Sequence, residues 1–137
     1  MGESLLKEFY YEPALDRITV TAPDYVTVKF GHSTATLEEN TAESQWVGQC
    51  FAEIKTIIPD RPLKVLVDFS TIDSSEYNSD ESNKLYRQML HDDRIKAVAV
   101  FGLHSGWMLL MNMIAIFAQH KLKIFDNETE ARAWLDK

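Results

Sequence analysis

Two largely apolar runs, "LKVLVDF" at 63–69 and "IKAVAVF" at 95–101, constrain this chain more than any other feature. Neither alternates apolar with polar residues, and both are rich in valine, with leucine in the first and alanine in the second. A run of that length and composition is a strand covered on both faces, the usual state of a strand in a parallel sheet. What surrounds the runs is helical. Trp46, Val47, Cys50, Phe51, Ile54, Ile57 and Ile58 recur at a period of about 3.6 residues. Thr36 with Glu39 has capping-box spacing, Thr41 is a second candidate cap, and Pro59 and Pro62 close the segment. Between the two runs, Asn78 with Glu81 again has capping-box spacing and predicts a helix from near Ser79. Its narrow apolar face is Leu85, Tyr86, Met89 and Leu90, and "HDD" ends it.

The remainder extends this alternation. "WMLLMNMIAIFAQH" predicts a helix apolar almost all round, "LKIF" a short strand, and "DNETEARAWLDK" a capped terminal helix turning Ala131, Trp134 and Leu135 inward. Ahead of everything, "DRITVTAPDYVTVKF" reads as a hairpin turning at Pro23-Asp24, and "KEFYYEP" either pairs at its edge or leads into it. The predicted fold class is α/β. An N-terminal hairpin is followed by alternating helices and parallel strands, with helices packed on the sheet and right-handed crossovers. No repeat, low-complexity tract or long linker divides the 137 residues, so residues 1–137 form one domain.

Charge narrows the function. The net charge is −7, and no basic cluster stands out, so neither nucleic acid nor an anionic membrane surface is an expected partner. The single cysteine, Cys50, permits no internal disulfide and lies on a helical core stripe, where a small buried apolar residue is expected. The N-terminus lacks the basic and apolar regions of a signal peptide, and Leu6 breaks the myristoylation pattern. A cytoplasmic location is therefore expected, where the "NET" sequon at Asn127 stays unused.

The strands "VLVDFS" and "AVAVFG", the apolar helix after them and the ending "KIFDNETEARAWL" together resemble the SpoIIAA-like (STAS-like) family, which shares the fold of anti-sigma-factor antagonists. The most specific part is the close: Phe125, Asp126, Glu130, Ala131, Trp134 and Leu135 are similar to the family's F-D-x-x-x-E-A-x-x-W-L pattern. The resemblance covers roughly residues 8 to 137. It implies a small single-domain bacterial protein that acts by binding. True antagonists carry an Asp-Ser-Ser-Gly-Leu-Gly loop whose serine is phosphorylated by a kinase partner. Asp73, Ser74 and Ser75 match its first three positions, while Glu76 and Tyr77 stand where Gly-Leu would follow. The resemblance thus implies a candidate phospho-switch, and the same residues also read as turn and cap for the next helix.

Three further features carry candidate chemistry. Ser70 ends one buried strand, and His104 and Ser105 follow the other, so they form a candidate polar rim where open α/β sheets bind ligands. No Gly-x-Ser-x-Gly elbow accompanies them, and no catalytic residue is assigned. None of the four histidines has an H-E-x-x-H neighbourhood, so neither a metal nor a cofactor is expected. The helix at 106–118 is too short for a bilayer, which needs about 20 apolar residues. A helix apolar on every side must still bury its second face. Trp107, Met108, Met111, Ile114 and Phe117 therefore form a homodimer interface, pack inside the monomer, or line a pocket for a small apolar ligand. The combined expectation is a non-enzymatic interaction or regulatory domain working as a homodimer or with a protein partner. A lipid or apolar-ligand carrier is the alternative.

Overall fold

The computed structural model describes residues 4–72, 79–103 and 121–137. Among the described residues six strands form one sheet in chain order: β1 (Leu5–Tyr11), β2 (Asp16–Thr21), β3 (Tyr25–Lys29), β4 (Leu63–Asp68), β5 (Ile95–Phe101) and β6 (Leu122–Phe125). β1, β2 and β3 are antiparallel neighbours, and β3 to β6 run parallel. α1 (Leu37–Ile57) crosses from β3 to β4, α2 (Asp80–Leu90) crosses from β4 to β5, and α3 (Glu128–Leu135) follows β6.

The pattern of inward residues explains the layers. In β2 and β3, Ile18, Val20, Val26 and Val28 are buried against α1 and α2, and Thr19 and Thr27 face the other way. β4 and β5 are covered on both faces. Val65, Val98 and Val100 join the larger core, while Leu66, Ala99 and Phe101 join a smaller one beneath Ala131 and Leu135 of α3. That two-sided burial is why these strands carry no alternation.

Local chemistry sets the helix ends. The Thr36 hydroxyl accepts the Glu39 amide at 3.0 Å, and the Glu39 carboxylate accepts the Ala35 amide at 2.8 Å, which opens α1 at Thr36 and not at Thr41. The Ser79 hydroxyl accepts the Ser82 amide at 3.1 Å, so Ser79 itself caps α2, one residue beyond the Asn78 inferred from spacing. Asn127 caps α3, its side-chain Oδ1 accepting the Glu130 amide at 2.9 Å. The guanidinium of Arg94 donates to the carbonyls of Ile58 and Arg61, tying down the end of α1. Cys50 is buried, and burial pushes its thiol up to about 12, so it is a packing residue.

One helical residue departs from its element's needs. Gly48 lies mid-way along α1, and a Cβ built there meets nothing within 4 Å. Glycine in a helix interior costs about 0.5–1 kcal/mol relative to alanine. Gly48→Ala is expected to stabilise the domain by about that amount, read as a higher urea midpoint at unchanged slope. A lowered midpoint would show that the space beside Gly48 is needed.

Candidate functional site at the carboxyl edge of the sheet

Because β3, β4 and β5 are parallel, Lys29, Asp68 and Phe101 share one row at the sheet's carboxyl edge. β2 runs the opposite way, so its first residue, Asp16, comes to the same edge. α1 and α2 both begin there, at Thr36 and Ser79.

The ends of the strands are sealed on one another. The Thr71 hydroxyl donates to the Phe30 carbonyl at 2.8 Å, and the rings of Phe30 and Phe69 stack with centroids 5.0 Å apart. The Ser70 amide donates to Asp68 Oδ1 at 2.8 Å. Gly102, at φ +80°, lies so near Ser70 that a Cβ would stand 2.6 Å from the Ser70 nitrogen. Only glycine permits that approach at that backbone angle. Ser70 is exposed beside the end of β5. His104 and Ser105, the other members of the expected rim, lie outside the described residues, as do Asp73, Ser74 and Ser75 of the candidate switch and Trp107, Met108, Met111, Ile114 and Phe117 of the apolar helix.

The edge also holds a feature that no sequence motif marks. Asp16 is fully buried, and Glu43 of α1 is 6% exposed. The Gly31 amide donates to Asp16 Oδ1 at 2.9 Å. Asp16 Oδ2 and Glu43 Oε2 are both buried with no donor bonded to them, and the two carboxyls lie close enough to hydrogen-bond through a shared proton. Two carboxyls can do so only when one is protonated. Burial raises the affinity of both for a proton, and contact with Asp16 helps push Glu43 up to about 10. Glu43 is therefore the carboxyl that holds a proton at neutral pH. The Gly31 amide and the nearby His32 favour placing the charge on Asp16. Tyr11 and Tyr86 stand close enough that burial and these carboxyls hold their phenols protonated above the usual range.

One turn along, the seam between α1 and α2 is polar. The Ser79 amide donates to Asn40 Oδ1 at 2.8 Å, and Thr41 Oγ1 donates to Ser79 Oγ at 2.7 Å. Ser82 Oγ lies 2.9 Å from the Asn40 carbonyl and 3.0 Å from Ser44 Oγ, which itself donates to the Thr41 carbonyl at 2.7 Å. Asn40, Ser44, Ser79 and Ser82 are all buried. A sequence signal for this cluster existed. Asp16 shares the inward parity of Ile18 and Val20. Asn40, Glu43 and Ser44 fall on the helical stripe that continues through Val47 and Cys50. Polar residues on an apolar face were the sign.

Chemically the arrangement holds elements together. Its carboxyls are closed off from solvent, and its serines bond to one another and to the backbone. Among the described residues no group of three or more histidine, cysteine, aspartate or glutamate side chains could hold a metal, and no helix is long and apolar enough to cross a membrane. A groove of about 80 Å³ opens between α1 and α2 at the opposite edge, lined by Gly48, Phe51, Lys55, Met89 and Ile95 among others. It is well short of the roughly 300 Å³ at which small-molecule pockets begin.

A single sheet with a hairpin at one side, parallel strands in chain order and helices on both faces defines an α/β domain of the STAS-like class. The model of the family described as SpoIIAA-like matches residues 32–136, and the chain belongs to that family. Among solved structures, it is similar to an uncharacterised protein of the DUF3478 family with a SpoIIAA-like fold from Shewanella loihica PV-4. The two share 16% sequence identity over 98% of this chain and 96% of that one, with a TM-score of 0.55. That likeness concerns the fold. No curated protein matches the chain.

Proposed function

We propose that this SpoIIAA-like domain acts by binding and not by catalysis, with a second copy of itself as its first partner, in a cytoplasmic setting. The observation that carries the reading is the edge strand β1. Its outer side pairs with no strand among the described residues, and Leu5, Leu6 and Tyr10 on it are 59%, 43% and 53% exposed. An open edge with exposed leucines is a template for strand addition. A two-fold axis through it pairs β1 with itself antiparallel and closes the assembly, as isologous contacts do. The apolar segment 106–118 supplies a second candidate surface for the same dimer.

Native mass spectrometry of freshly purified protein, with three variants, tests this. A dimer is expected, and Leu6→Lys, Met111→Glu or Ile114→Glu is expected to give folded monomer according to which surface forms the contact. A wild-type monomer overturns the reading. A reproducible adduct of lipid or metabolite mass would replace it with an apolar-ligand carrier using segment 106–118. The same spectra of cell-derived protein report any phosphate on Ser74 or Ser75.

A further inference from the structure

We propose that the Asp16–Glu43 pair is a proton-held latch coupling the β2–β3 hairpin to the start of α2 through one turn of α1. The coupling is written in the helix. Asn40, Glu43 and Ser44 are spaced i, i+3 and i+4, so they leave α1 side by side. Glu43 grips Asp16 of β2, which in turn holds the Gly31 amide just after β3. Asn40 and Ser44 grip Ser79 and Ser82, the cap and first turn of α2. What moves Glu43 must move the other two.

The proton decides whether Glu43 stays. Without it, two carboxylates would face each other inside the protein. The groups that face the pair are Tyr11 from β1, Tyr86 from α2 and His32 from the segment after β3, with Glu39 of α1 close to Tyr11. Of these only the His32 imidazole can carry positive charge, and it acts on Asp16 and not on Glu43. Like charges in a low-dielectric site repel strongly. Glu43 is then driven toward solvent. The Asn40 contact to the Ser79 amide and the Ser44 contact to Ser82 go with it, and the N-terminus of α2 loses its anchor. The latch would transmit in the reverse direction as well: an event that pulls Ser79 from Asn40 weakens the hold on the proton.

Carbon-detected NMR of the intact chain, titrated with pH, tests this directly. The expected result is a Glu43 side-chain carboxyl that titrates well above the usual carboxylate range. The Ser79 and Ser82 Cα resonances should step at the same midpoint, while Val65 in the sheet does not. In Glu43→Gln that step should vanish. In Asp16→Asn, which removes the like charge, it should move to lower pH, so a folding failure of one variant leaves the other to decide. A Glu43 carboxyl titrating in the ordinary range, or Ser79 and Ser82 resonances unmoved at its midpoint, would overturn the latch.

Discussion

Gly31→Ala is expected to cost about 3 kcal/mol or to prevent folding outright, the range reached only by a few mechanisms such as enforced backbone strain. A Cβ on Gly31 would stand 2.3 Å from the Leu15 carbonyl oxygen, 2.5 Å from that of Ala14 and 2.7 Å from the Leu15 carbonyl carbon. All three are backbone atoms, so no side chain can swing aside. The turn they belong to has little freedom, because Leu15 is left-handed at φ 56° and the Ala14 carbonyl accepts the His32 amide at 2.8 Å. Separating Gly31 from this turn also takes its amide away from Asp16. Urea denaturation measures the loss. A change below about 1 kcal/mol would mean that the close approach is not maintained in solution.

Asp16→Ala is the second large effect, expected at about 3 kcal/mol. Truncation strands the Gly31 amide and the inward oxygen of Glu43, and each buried polar group left without a partner costs about 1–3 kcal/mol. Asp16→Asn is expected to cost less than about 1 kcal/mol, since its carbonyl still accepts from Gly31 and its amide donates to Glu43. Equal stabilities for the two variants would show that the carboxyl pair contributes nothing. The pH dependence has a definite sign. Both carboxyls hold their proton more tightly when folded than when unfolded. Their contribution is therefore complete below the ordinary carboxylate range and is lost as pH rises toward about 10. Asp92 behaves oppositely. Its hydrogen bond to Lys55, 2.6 Å long, lowers its proton affinity, so its small contribution is present above the ordinary carboxylate range and lost as pH falls. Stability measured at several pH values separates the two, and Glu43→Gln is expected to flatten the alkaline limb alone.

How much could be read in advance differs by element. The β4 and β5 runs were legible because burial on both faces leaves an unmistakable composition. The stripe of α1 and the ending of α3 were legible because period and capping are local. β1 stayed ambiguous: "KEFYYEP" gains its strand identity only by pairing with β2, a partner that local propensity does not specify. The cap of α2 was misplaced by one residue because Asn78 and Ser79 are both good caps. Ser79 takes the role with its hydroxyl already joined to Thr41 and its amide to Asn40, contacts that come from another helix.

The site was less legible than the fold. Ser70 could be placed at a strand end, but its contact with Gly102 depends on the β4–β5 register and a positive φ, neither of which has a sequence signature. Asp16 and Glu43 are separated along the chain by a hairpin and a helix start, and nothing in either neighbourhood names the other. By itself the sequence determined, among the described residues, the order of strands and helices from β2 onward, the faces they bury and the family the chain belongs to, since each rests on periodicity and short-range chemistry. Tertiary structure alone decided that two acids meet in the dark and that five polar side chains join α1 to α2. Such contacts arise from the antiparallel turn of β2 against β3 and the shared direction of two crossover helices, and a proton affinity depends on what surrounds a group in space.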